Sequence, residues 1–211
     1  MVINEIYPSI QGESSYMGIP MVFIRLAYCN LRCRWCDTAY AFEDGKEMSI
    51  DAILEAVAAY KLTHVEVTGG EPLIQKETPE LLQRLIDAEY TVLLETGGSR
   101  DIQVVPDGVV RIIDIKCPGS RESERNLWEN IEHLNPSDQL KFVLADRRDY
   151  DWAREILQRH SLADKAEVLF SPVYGEMDPK DLTRWILDDT LPVRVQVQLH
   201  KFIWPAEERG V

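Results

Sequence analysis

Apolar residues come in short runs along the chain, and the runs alternate between two periods. Residues 20–28 (PMVFIRLAY), 64–70 (HVEVTGG), 91–98 (TVLLETGG), 109–116 (VVRIIDIK), 139–146 (QLKFVLAD), 166–170 (AEVLF) and 193–199 (VRVQVQL) read as strands, the last by clear period-two alternation. Between them, 49–60, 78–89, 126–134, 149–160 and 178–188 read as helices. Ser49 is the predicted N-cap of the first. Thr78 is the predicted cap of the second, with Pro79 at its first helical position.

Strands alternating with helices predict parallel βαβ units. A closed eight-unit barrel takes about 250 residues, and this chain has 211. Between Glu95 and Val109 there is only a Gly/Pro/Asp-bearing connection, with no room for a crossover helix. The expectation is therefore an α/β fold, an incomplete TIM-like parallel barrel, with 1–211 forming one domain. Ligands of such folds sit at the C-terminal ends of the strands. The unusual polar clusters all fall there: CNLRCRWC (29–36), TGGEP (68–72), ETGG (95–98) and DIKCPGS (114–120). Their convergence predicts one active site.

Composition narrows the partners. A net charge of −13 repels phosphate backbones, so nucleic acid is not expected to bind. The first residues, MVINEIY, lack a basic n-region and a long apolar h-region. No apolar run approaches the ~20 residues that span a bilayer. A cytoplasmic location is expected, where thiols stay reduced and clustered cysteines favour metal or redox chemistry.

Three of the four cysteines lie within eight positions, as Cys29-x3-Cys33-x2-Cys36. Three thiolates on one loop can each take one iron of a four-iron four-sulfur cluster, which normally wants four cysteines. With Cys117 far along the chain, one iron is left open for a small molecule. Tetrahedral zinc is the rival, but it usually draws on two ligand pairs. No second pair exists, and His64, His133, His160 and His200 are dispersed. The plainest alternative is three unrelated buried cysteines.

The cysteine loop, with an aromatic before its last cysteine, resembles that of the radical S-adenosylmethionine superfamily. The resemblance implies that the open iron is chelated by the cofactor's amino and carboxylate groups, and that one electron from the cluster generates a deoxyadenosyl radical. A second superfamily element, Gly-Gly-Glu-Pro, stands here as Gly69-Gly70-Glu71-Pro72, whose backbone is expected to meet the methionyl ammonium. EIYPSIQGE (5–13), Cys36-Asp37-Thr38, QLHKFIW (198–204) and the closing Arg-Gly-Val (209–211) resemble the 7-carboxy-7-deazaguanine synthases, small members with shortened barrels and a homodimeric habit.

That family resemblance implies 6-carboxy-5,6,7,8-tetrahydropterin as substrate, and 7-carboxy-7-deazaguanine and ammonia as products. It implies a magnesium ion beside the substrate carboxylate with Thr38 as one oxygen ligand, a choice a hard cation accepts. It places Trp35, Cys36, Asp37, Gly69, Gly70, Glu71, Asp114, Ile115 and Lys116 around S-adenosylmethionine. Many relatives have Ser-Pro-Lys where this chain has Asp114-Ile115-Lys116. Ser14 likewise stands where glycine is common. Ile10, Gln11, Gly12, Glu13, Arg25 and Thr68 are the candidates for the pterin. An Arg25 guanidinium can fork onto a carboxylate, or it can be a salt bridge. Trp35 can pack near the adenine or fill space. Glu95, Thr96 and Gly97 are weaker candidates for the cofactor pocket. Cys117 is expected to be a buried thiol, and His200 structural. An external electron donor such as a flavodoxin is also implied.

Two other functions share parts of this pattern. A glycyl-radical activase has the cysteine loop and the glycine turn, but not EIYPSIQGE and QLHKFIW. An iron–sulfur electron carrier or a zinc-stabilised binding module needs no such barrel, and a carrier usually supplies four ligands per cluster.

Overall fold

The computed structural model describes residues 1–205 and 208–210. Val211, the last residue of the Arg-Gly-Val close, lies outside the described residues, as do Ala206 and Glu207. The chain builds one nine-stranded sheet in the order β3-β1-β2-β4-β5-β6-β7-β8-β9, so it ends in two edges and does not close. From β2 (Pro20–Leu26) the strands run parallel through β4 (His64–Gly69), β5 (Thr91–Thr96), β6 (Val110–Ile115), β7 (Gln139–Leu144), β8 (Glu167–Pro172) and β9 (Arg194–Val195). The incomplete parallel barrel expected from the sequence is what forms. The sequence reading missed β1 (Val2–Ile10), which lies antiparallel on β2, and the short β3 (Lys46–Glu47) beyond it.

Helices α1 (Ile50–Ala58), α2 (Thr78–Asp87), α3 (Arg147–Arg159) and α4 (Pro179–Asp188) cover the outer face. Ser49 caps α1, accepting from the Ala52 amide at 3.2 Å. Thr78 does not cap α2: it is the first helical residue, and its hydroxyl donates to the Pro72 carbonyl at 2.7 Å. The β5–β6 connection holds only a 3-10 turn, as its length requires. A helix over 126–134 does not form either. Its place is taken by a 3-10 turn, Trp128–His133. Asn126 is spent bracing the Lys116 backbone, and Asn130 bonds the backbones of Gly98, Arg100 and Ile102. Side chains engaged in this way compete with the helical ladder.

Two apolar cores lie between sheet and helices. One joins β2, β4 and β5 to α1 and α2 (Ile24, Val65, Val67, Leu94, Ile53, Leu82), the other β6–β8 to α3 and α4 (Ile113, Phe142, Phe170, Tyr150, Leu182). Each such side chain contributes about 1.5–3 kcal/mol by leaving water. The inner face carries alternate residues of the same strands. Its lower layer is apolar: Met21, Phe23, Leu93 and Ile112, with Tyr7 stacked on Phe23. Two residues further along, the same face turns polar: Arg25, Thr68, Glu95 and Asp114, joined by Glu66 and Lys141. This polar layer lies under the strand ends where the cysteine loop begins.

Candidate active site

Just beyond β2, Tyr28 takes a left-handed backbone (φ 75°) that turns the chain into the cysteine loop. The glycine turn after β4 lies against this root. Gly70 N–H donates to the Leu26 carbonyl at 3.1 Å and Glu71 N–H to the Tyr28 carbonyl at 2.8 Å. A Cβ on Gly70 would collide with the Tyr28 carbonyl and the Cys29 side chain, so only glycine permits this approach.

Cys29, Cys33 and Cys36 are half-buried and in no disulfide. Burial pushes the Cys29 thiol up and Cys33 to about 11, with Lys116 opposing in both; Cys36 adds to the rise of each, and Cys29 to that of Cys33. The three sulfurs are near enough to sense one another, yet among the described residues no three metal-ligating side chains close around a single ion. A cubane gives each thiolate its own iron, which spaces the sulfurs more widely than one ion does. Three cysteines on one loop without a second ligand pair suit the cluster better than a tetrahedral zinc.

Arginines fasten the loop to its neighbours. The Arg34 amide donates to the Ser120 carbonyl at 3.0 Å, and its guanidinium forks onto Glu176 at 2.7 and 3.0 Å. The same guanidinium lies over Trp35, 4.9 Å from the ring centroid. Arg32 donates to the Cys29 carbonyl at 2.9 Å and covers Phe42. Asp37 pairs with Lys201 at 2.7 Å. Burial works against the Asp37 carboxylate, but Lys201 holds it at about 2. The Thr38 hydroxyl donates to Asp37 at 3.2 Å and stands 4.0 Å from the Cys36 sulfur.

Glu71 is fully buried. Its oxygens accept from Leu73 N–H at 3.0 Å, the Thr96 hydroxyl at 2.8 Å and Gly97 N–H at 2.7 Å. Its side chain thus fastens the β4 and β5 ends together, leaving the glycine backbone to face the cysteine loop. Lys116 pairs with Asp114 at 3.0 Å, and its charge reaches Cys33 and Cys29. The other Asp114 oxygen, Oδ1, is buried without a partner. An unsatisfied carboxylate oxygen beside the cysteine loop suits the hydroxyl or ammonium of an incoming cofactor. Ile115 is nearly buried at the end of β6, while Cys117 points into the core under α3.

The pterin candidates gather at the inner-face mouth, with most of their polar atoms already engaged. Arg25 donates to Glu5 and to the Tyr7 hydroxyl, both at 2.7 Å, so its fork is held by β1. Thr68 is its register partner on β4. Ile10 ends β1, and the Gln11 amide accepts from Glu13 N–H at 2.9 Å and donates to Glu66. Gly12 packs directly on the His200 ring, leaving no room for a Cβ. Glu13 bonds Lys141 at 2.6 Å and Gln198 at 2.8 Å. Ser14, at φ 60°, adopts the left-handed backbone that glycine takes freely.

The predicted last strand stops at Val195, and residues 196–201 become a strap across the mouth. Gln196 and Gln198 turn their side chains to Ser14 and Glu13, Leu199 N–H donates to the Gly12 carbonyl at 2.9 Å, and α5 (His200–Ile203) begins. Sequence reasoning missed Glu66 and Lys141 altogether. Their signal was a charged residue inside a strand whose flanking residues are core, in phase with Arg25, Glu95 and Asp114.

Comparison with known proteins agrees with this geometry. Residues 23–115 match the family model of the Radical SAM superfamily. A 7-carboxy-7-deazaguanine synthase from Koribacter versatilis (strain Ellin345) is 47% identical across the whole of both chains. Another from Chlorobaculum tepidum is 47% identical over 99% of this chain and 96% of its own. The crystal structure of QueE from Escherichia coli superposes with a TM-score of 0.78 at 23% identity, covering 94% of each chain, which shows the shared fold.

Proposed function

The chain belongs to the 7-carboxy-7-deazaguanine synthase family of radical S-adenosylmethionine enzymes, and from that premise we propose that it converts 6-carboxy-5,6,7,8-tetrahydropterin to 7-carboxy-7-deazaguanine with release of ammonia. The observation that carries this reading is the 47% identity over the whole of both chains with a synthase of that name. When bound, the cluster and S-adenosylmethionine supply one-electron chemistry that removes, and later returns, a hydrogen at the carbon bearing the substrate carboxylate. Cys29, Cys33 and Cys36 would hold the cluster, one iron each, and no fourth cysteine on the loop would compete with the cofactor. Trp35, Cys36, Asp37, the Gly69-Gly70 backbone, Glu71, Asp114, Ile115 and Lys116 form the cofactor's surroundings.

The pterin lies in the polar layer, where Ile10, Gln11, Gly12, Glu13, Arg25 and Thr68 read its edges. Thr38 gives a hydroxyl to a magnesium ion at the substrate carboxylate. The strap at 196–201 narrows the mouth, which favours a small substrate over the protein loop an activase needs. The cluster would take its electron from an external donor. The whole chain works as one domain, and two copies associate. Exposed Leu187, Phe202 and Ile203 near the open β9 edge support that association. No helix among the described residues is long and apolar enough to cross a membrane, which accords with a cytoplasmic enzyme.

The test is anaerobic reconstitution with iron and sulfide, then reduction and incubation with S-adenosylmethionine, the pterin and magnesium. Conversion of the pterin with little net loss of S-adenosylmethionine is the expected result. Cofactor cleavage with the pterin untouched would discard the substrate.

A further inference from the structure

Four carboxylates and one ammonium share the polar layer. Lys141 is 4% exposed, and its hydrogen bonds go to Glu13 and Glu95, with Asp114 at 3.7 Å. Glu66 is 1% exposed and receives none of these bonds. It accepts from the Gln11 amide, and it pairs in register with Leu93, so that Glu95 is its next inner-face neighbour along β5. Among the described residues no cation pairs with it. A buried carboxyl with no cation of its own, set beside a second carboxyl, keeps its proton, because two adjacent anions in a dry site repel. Lys141 bonds Glu95 and not Glu66, so Glu66 is the one of the two left to keep a proton. Burial first, then the charges of Glu95 and Glu13, push the Glu66 carboxyl well above the usual range. Tyr7, Glu13, Asp114, Lys141 and His200 are the other titratable groups around the pair.

We propose that Glu66 is a positioning residue for the proton of the ammonia-releasing step, storing it next to Glu95, whose partly exposed carboxyl opens on the polar layer. The proposal rests on the functional reading above. Releasing ammonia breaks a carbon–nitrogen bond, and the electron pair leaves with nitrogen. A neighbouring carbon loses a proton, and its C–H pair becomes the new double bond. The step is redox-neutral. One proton must reach nitrogen and one must leave carbon, so a carboxyl pair holding a single proton balances both. Glu95 passes the stored proton to the departing nitrogen, as Glu66 supplies it. The carbon's proton then returns through Glu95 to Glu66, and the pair is restored.

Glu66→Gln tests this, because the amide keeps the shape, the neutrality and the hydrogen bonds but has no proton to move. The infrared difference between reconstituted wild type and Glu66→Gln at neutral pH should contain a protonated carboxylic acid band. Glu71, also raised by burial, cancels in that difference. Product formation should slow about 10²-fold in kcat with KM unchanged, and Glu66→Asp should recover part of it. Transfer of deuterium from the carboxylate-bearing carbon of labelled pterin into S-adenosylmethionine should keep its wild-type rate. Absence of the acid band, full kcat in Glu66→Gln, or equal slowing of deuterium transfer and product formation would each overturn the proposal. If wild type leaves the pterin untouched, the functional reading fails and this relay falls with it, whichever band is seen.

Discussion

Cys29, Cys33 and Cys36 sit on a loop held from outside, by backbone bonds and by the Arg32 and Arg34 guanidiniums. On the inner face of the sheet, Glu13, Glu95, Asp114 and Lys141 are held by one another, with Glu66 beside them on the Gln11 amide. The loop's reactive groups make almost no bonds of their own, so they are free to ligate. The interior's reactive groups are each other's support, so none can be removed alone. One region can lose its chemistry and keep its fold; in the other, chemistry and fold depend on the same contacts.

The largest effect should come from the loop. Cys29→Ala, Cys33→Ala or Cys36→Ala should abolish the brown iron–sulfur absorption after reconstitution, while stability changes within about 0.5 kcal/mol. Cys117→Ala should do the reverse: the colour stays and only the melting curve moves. A colourless Cys117 variant would break the comparison. Next is Lys141→Met, which leaves Glu13 and Glu95 without their ammonium while Asp114 keeps Lys116. It should cost about 3–5 kcal/mol in urea unfolding, and adding Glu95→Gln should restore part of that. Arg25→Ala follows, raising the substrate KM by the equivalent of roughly 1.5–3 kcal/mol. An unchanged KM would reduce Arg25 to its pairing with Glu5 and Tyr7.

Thr38→Ala should raise the magnesium concentration for half-maximal rate about tenfold, about 1.4 kcal/mol, with cofactor cleavage less affected. Equal loss of both in a magnesium titration counts against it as a metal ligand. The smallest effect is the Asp37–Lys201 pair. Lys201 holds the folded Asp37 carboxyl at about 2 against an ordinary 3.8. A lowered folded value means the contribution is complete above about 3.8 and is lost as pH falls toward 2. Asp37 is 46% exposed, and screening limits the pair to about 0.2–1 kcal/mol. The stability gap between wild type and Lys201→Met should close over that acidic window.

The same contrast governs what the sequence discloses. The cysteine loop is legible because its chemistry is a matter of local spacing. The strand ends are legible because TGGEP, ETGG and DIKCPGS punctuate apolar runs. The Glu66–Lys141 layer is harder to see, since 75 positions separate the two residues. Only the parallel register shows that HVEVTG and QLKFVL turn the same phase inward. β1 is hidden because its residues stand out as part of the EIYPSIQGE motif, although their first task is to pair with β2 and hold Arg25. The missing helix at 126–134 and the shortened final strand have one cause in common. Asn126, Asn130, Gln196 and Gln198 spend their amides on distant backbone or side-chain groups, which periodicity does not register.

The strap has a consequence for synthesis of the chain. Its bonds join Lys201 to Asp37 across 164 positions and Gln198 to Glu13 across 185. At ribosomal speeds of about 5–20 residues per second, Asp37 waits roughly 8–33 s for its partner to be made. For the later part of that interval the three thiols are outside the ribosome while the mouth of the barrel is still unlatched. Iron–sulfur loading of a nascent chain therefore meets an open vestibule, and loading of the finished protein a bridged one.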